Sequence, residues 1–89
     1  MKFPFSRFIV FENSMMPAYK PGDHVLTFNW VGVKKGDVIV FRQGKIKMIK
    51  RVKKIEGGKV FVEGDNKKES AKIGPIPSSQ IVGKVILKY

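Results

Sequence analysis

A chain of 89 residues with 43% hydrophobic content and a net charge of +11 is long enough for one folded domain, residues 1–89, and too short for two. The absence of cysteine excludes a disulfide framework, a thiolate zinc site and a cysteine nucleophile. With a single histidine, His24, no His-clustered metal site can form, and neither metal nor cofactor is expected. The charge favours anionic partners, yet the lysines are spread along the chain and no helix-turn-helix, zinc finger or RNA-binding strand pattern is present, so no specific nucleic acid is expected. The apolar stretch Phe8-Ile9-Val10-Phe11 is far below the ~20 residues of a membrane span. As given, the chain is expected to be soluble, cytoplasmic or peripheral to a membrane, or a piece of a membrane enzyme without its anchor.

Along the chain, short alternating segments are separated by turn signals. Arg7 to Glu12 reads as a strand, interrupted by a turn at Met15-Met16-Pro17. Pro21-Gly22-Asp23 precedes a strand from His24 to Asn29, and Lys35-Gly36-Asp37 precedes Val38 to Arg42. Gln43-Gly44 leads into a long strand, Lys45 to Glu56, and Gly57-Gly58 turns it back as Lys59 to Glu63. A polar loop from Gly64-Asp65-Asn66 to Gly74-Pro75-Ile76-Pro77 precedes a last strand, Ile81 to Lys88. No long segment carries a helical period. The predicted fold is all-β, a small folded antiparallel sheet or partly open barrel.

The long strand carries a charge in an unexpected place. One face holds Lys45, Lys47, Ile49, Arg51 and Lys53; the other holds Ile46, Met48, Lys50 and Val52. An ammonium on an apolar face loses hydration, which favours the neutral amine and allows it to act as a base. A lysine there can equally lay its stem on apolar neighbours and keep its head in water. A neutral amine needs a proton to remove, and Ser14 in Asn13-Ser14-Met15-Met16-Pro17 is the candidate.

Five boxes stand in order: Ser14-Met15-Met16-Pro17, Pro21-Gly22-Asp23, Lys35-Gly36-Asp37, Lys50-Arg51-Val52 and Gly64-Asp65-Asn66. This series resembles the catalytic core of the type I signal peptidase (leader peptidase) family over residues 12–85. The resemblance implies a signal-peptidase-like fold and a serine peptidase with a Ser/Lys dyad, Ser14 as nucleophile and Lys50 as general base. It further implies that Ser70 aims the lysine amine, while Asp65 and Asn66 shape the surrounding loop. Met15, Met16 and Pro17 would line a shallow substrate-binding pocket. The implied partner is a protein precursor whose N-terminal signal or leader peptide binds as an extended strand, with contact to a membrane surface a further expectation.

Other readings stand beside these. Ser14 can be a turn serine and Ser70 a bystander in a charged loop; Asp23 and Asp37 follow turn glycines and suit turn roles. His24 reads as a surface residue and Trp30 as a core lid. Glu12 departs from the family pattern, which has a small residue two places before the nucleophile; a carboxylate pointing inward would oppose an oxyanion. The family's Asp-Ser-Arg segment, with its salt bridge, is also absent, and the given residues are expected to include neither its membrane anchor nor its large inserted β-domain. The stripped form resembles small maturation proteases that trim one partner, such as those of nickel superoxide dismutase. Two alternatives follow: a catalytically silent basic β-domain that binds nucleic acid or an anionic membrane surface, and a self-cleaving relative of the LexA-type repressors.

Overall fold

A computed structural model describes residues 4–29, 32–67 and 73–89. The strands are β1 (Phe5–Ile9), β2 (His24–Phe28), β3 (Val38–Gln43), β4 (Ile46–Glu56), β5 (Lys59–Glu63), β6 (Ile76–Pro77) and β7 (Ile81–Lys88). A 3-10 turn, Ser78–Gln80, links β6 to β7, and no α-helix occurs among the described residues. All pairings are antiparallel in one seven-stranded sheet of order β1-β2-β7-β3-β4-β5-β6. The sheet is not closed into a barrel: β1 and β6 are its two ends. The all-β expectation holds, and no helix among the described residues is long and apolar enough to cross a membrane.

Central strand β3 explains the layering. Val38, Ile39, Val40 and Phe41 are all buried, so the strand is covered on both faces and its alternation sorts residues between two cores. Val38 and Val40 join Val10, Met15, Val25 and Ile49. Ile39 and Phe41 join Val52, Val60, Val62 and Ile76. Ile49, which the alternation puts among lysines, is therefore buried on the face it shares with Val38 and Val40, while Lys45, Lys47 and Lys53 stay exposed. Ile46 goes the other way: it lies on the apolar side by period but is exposed at the β3–β4 hairpin.

The first strand lies earlier than its sequence signal, at Phe5–Ile9 instead of Arg7 to Glu12. Its position is set by the ladder to β2, which runs from Phe5 opposite Phe28 to Ile9 opposite His24. Val10 is still held, its N–H donating to the Asp23 carbonyl at 2.8 Å and its carbonyl accepting from Gly22 N–H at 2.7 Å. Phe11 and Glu12 then leave the sheet. Gly83 fits where β2 and β7 close around an irregular register: a Cβ there would lie 3.0 Å from Thr27 Cβ and Oγ1. Buried Thr27 donates its hydroxyl to the Ser6 carbonyl at 3.2 Å.

Candidate active site

The β1–β2 connection carries Ser14 through tight turns. Met16 N–H donates to the Asn13 carbonyl at 3.1 Å and Tyr19 N–H to the Met15 carbonyl at 2.9 Å. Met15 is fully buried in the first core and anchors the segment; Met16 is half-buried, Pro17 is exposed, and the bond between them is cis. The loop after β5 holds the same segment from its other side. Asn66 N–H donates to the Ser14 carbonyl at 2.7 Å, and Asn66 Nδ2 donates to the Asn13 carbonyl at 3.0 Å.

Lys50 meets this loop from β4. It pairs with Ile39 of β3 on one side, while the β5 ladder begins only at Arg51. The β4 edge beside Lys50 is thus left to the Ser14 loop. Ser14 and Lys50 are 2% and 1% exposed. Lys50 Nζ donates to Ser14 Oγ at 2.5 Å and to Glu12 Oε1 at 3.2 Å. Snorkelling is excluded, because head and stem are both buried. Glu12 does point inward, but its carboxylate is engaged by the ammonium, with a fifth of its side chain exposed.

A second ion pair braces the site. Arg51 extends on the opposite face of β4 from Lys50, with Nε and Nη2 donating to Asp65 Oδ1 and Oδ2, each at 2.8 Å. Its Nη1 donates to the Gly36 carbonyl at 2.8 Å. These hydrogen bonds hold the Asp65 carboxyl below the ordinary carboxylate range and push the guanidinium higher. Arg51 and Asp65 tie β4 to the loop that clasps Ser14, a bracing role for which the sequence offered no Asp-Ser-Arg segment. Nearby, burial raises the Tyr19 phenol above its ordinary value.

Ser14, Lys50, Asp65, Asn66 and Met15 therefore converge on one region. Ser70, and Trp30 with it, lie outside the described residues. Asp23 and Asp37 cap their turns by accepting from Lys20 N–H at 2.8 Å and Lys34 N–H at 2.7 Å. Exposed His24 stacks near Tyr89, ring centroids 5.5 Å apart. Sequence reasoning gave no role to Arg51 and read Glu12 only as a hazard. For Arg51 the signal was its place beside Lys50 in the same box; for Glu12 it was a lone acid two residues before Ser14. No cluster of three His, Asp or Glu side chains able to hold a metal occurs among the described residues.

A small apolar groove of about 40 Å³ has Phe8, Val10 and Phe11 on one side and Lys47, Met48 and Ile49 on the other, and neither Ser14 nor Lys50 lines it. Lys47 Nζ lies 4.9 Å from the centre of the Phe8 ring across it. The groove separates the outer end of β1 from the stretch of β4 that precedes its β5 ladder.

An all-β chain that buries a serine hydroxyl against a lysine amine suits hydrolases that use a serine and need no metal. The family described as Peptidase S24-like matches residues 7–86, and the chain belongs to that family. Its class is therefore that of a serine peptidase; the match does not single out the type I signal peptidase branch that the sequence boxes resemble. No curated protein matches the chain.

Two stability predictions follow from the ion pairs. Replacing both members of a buried ion pair by apolar groups is often neutral or stabilising, whereas removing one member costs about 3–5 kcal/mol when the other charge is left buried. Lys50→Met leaves the buried Ser14 hydroxyl and the partly exposed Glu12 carboxylate without their shared partner, so it is expected to cost about 1–3 kcal/mol in urea denaturation; stability equal to or above wild type would contradict the pairing. The Asp65 carboxyl is lowered on folding, so its contribution is present above its unfolded value of about 4 and is lost as pH falls through the folded value. Asp65→Asn should cost no more than about 1–2 kcal/mol near neutral pH, since Arg51 is partly open to water. Melting curves should show this gap closing on acidification; a gap that persists at about pH 2 would contradict the linkage.

Proposed function

We propose that this serine peptidase is an endopeptidase with a Ser14/Lys50 dyad that removes an N-terminal signal or leader peptide from a protein precursor. The carrying observation is the hydrogen bond of 2.5 Å between a buried serine hydroxyl and a buried lysine amine, with no histidine in contact. Serine is a weak nucleophile until a neighbouring base accepts its proton, and an amine removed from water can be that base. In the neutral state Lys50 takes the Ser14 proton as Oγ attacks the scissile carbonyl. The resulting ammonium gives that proton to the leaving amine as the C–N bond breaks, leaving an acyl-enzyme. Water then attacks the ester, its proton passing to Lys50 and on to Ser14 Oγ as the C–O bond breaks.

An extended substrate would pair by its backbone with the outer side of β1, the end strand of the sheet, next to the small apolar groove. Met15 is taken up by the core, so the apolar walls of this groove are better placed than Met15 to receive a substrate side chain. Asp65 and Asn66 set the loop position, and the role of Lys50 orienter proposed for Ser70 is open to test by its alanine variant.

One observation favours the reading of an anionic binding surface. Glu12, Asp23, Asp37, Glu56, Glu63 and Asp65 are each in an ion pair, whereas Arg42, Lys45 and Lys47 of the β3–β4 hairpin are in none among the described residues. Arg42 and Lys47 even stand directly opposite each other, a like-charge pairing that weakens a ladder.

A library of unstructured peptides with apolar segments, read by mass spectrometry, tests the peptidase. Wild type should cut within an apolar segment, and Ser14→Ala and Lys50→Met should each lose at least about 10²-fold in rate. Cleavage that persists in Ser14→Ala would overturn the dyad. Salt-dependent binding to DNA or anionic vesicles by an inactive wild type, unchanged in Ser14→Ala, would favour the binding surface instead.

A further inference from the structure

The Lys50 amine has a second partner that the dyad alone does not use. Nζ lies 3.2 Å from Glu12 Oε1 while it contacts Ser14 Oγ. A lysine head on a flexible four-carbon stem offers three rotatable donors, so a single hydroxyl does not fix its direction. Two contacts from one loop, from residues two apart, do. Among the described residues, Lys84 of β7 stands in the same cross-strand row beyond Ile39 and is paired with Asp37. Ile39 of β3 lies opposite Lys50, and Val52 follows on the same β4 face. Arg51 is turned to the other face and bound to Asp65, and Lys47 is turned to Phe8.

We propose that Glu12 is a positioning residue that completes a Ser14–Lys50–Glu12 triad, aiming the amine at Ser14 and stabilising the ammonium formed when Lys50 takes the serine proton. The inference rests on the dyad reading above. Its logic is that of a carboxylate set behind a base, which orients the base and stabilises its charged form without itself taking the proton. Partial exposure suits the role, because a fifth of the Glu12 side chain keeps its contact with water. Engagement by the ammonium also offsets the repulsion that a bare carboxylate would exert on an oxyanion beside Ser14. Removing the negative charge takes away the second contact that directs the amine at Ser14 and the charge that stabilises the ammonium once it forms.

A fluorophosphonate probe tests this without a known substrate. Ser14 Oγ forms the bond to phosphorus, the P–F bond breaks, fluoride leaves, and the serine proton goes to Lys50. Labelling rates would be followed from about pH 6 to about pH 10 in wild type, Glu12→Gln and Glu12→Asp, spanning the range in which lysine amines titrate. Glu12→Gln should move the acidic limb down by about one pH unit or more and lower the plateau rate by about tenfold. Glu12→Asp keeps the charge, so its limb should stay nearer the wild-type position although its rate falls. A limb and plateau unchanged in Glu12→Gln would overturn the role of Glu12. Should circular dichroism show Glu12→Gln unfolded, Glu12→Asp decides: a limb displaced by about one unit contradicts the proposal. Wild type that shows no Ser14-dependent labelling at any pH would instead overturn the dyad on which the inference rests.

Discussion

Lys50 is a charge-bearing side chain 1% exposed in a chain of 89 residues, and its burial constrains everything placed around it. Removing an ammonium from water costs several kcal/mol unless partners replace the lost hydration. The chain supplies those partners from the β1–β2 connection, Ser14 directly and Glu12 beside it. That connection must therefore come to the β4 edge at the point where β5 has not yet begun to pair. Met15, buried in the first core, holds it there, while Met48 and Val52 flank the lysine on the face of the second. The amine sits at the seam between the two cores.

The second requirement is rigidity in a loop that carries chemistry. Asn66 holds the backbone of Asn13 and Ser14, and Asp65 next to it is locked to Arg51 by two hydrogen bonds. Arg51 is the neighbour of Lys50 in β4, so one strand places the amine on one face and a guanidinium clamp on the other. Alternation of side chains in a strand is thus used twice within two residues. This also explains why an aspartate-arginine brace can come from boxes that are far apart in sequence. The brace forms although the chain has no Asp-Ser-Arg segment.

Much of this was legible because strands write their faces into sequence. Lys50 between Met48 and Val52 already stood on the apolar face, with burial and snorkelling both open to it, and β5 and β7 lie at the residues their alternation and flanking turns predict. Where the signal failed, long-range pairing decided. The two residues of β6 take their shape from Val60 opposite Ile76, and nothing local in Ile76-Pro77 marks a strand. The extent of β1 follows its ladder to β2. Ile49 and Ile46 exchange the exposures that period alone assigns, because the first core reaches Ile49 and the hairpin carries Ile46 beyond the second. The Glu12 contact spans 38 positions in sequence, and only the folded sheet brings it about.

The central claim is that Lys50 activates Ser14, and mapping where a serine-directed probe attaches tests it most directly. Wild type, Ser14→Ala and Lys50→Met would be treated with a fluorophosphonate, digested and sequenced by mass spectrometry. A single adduct on Ser14 is expected in the wild type and none in either folded variant. An adduct on Ser14 that forms equally fast in Lys50→Met would show that the buried amine is not the base.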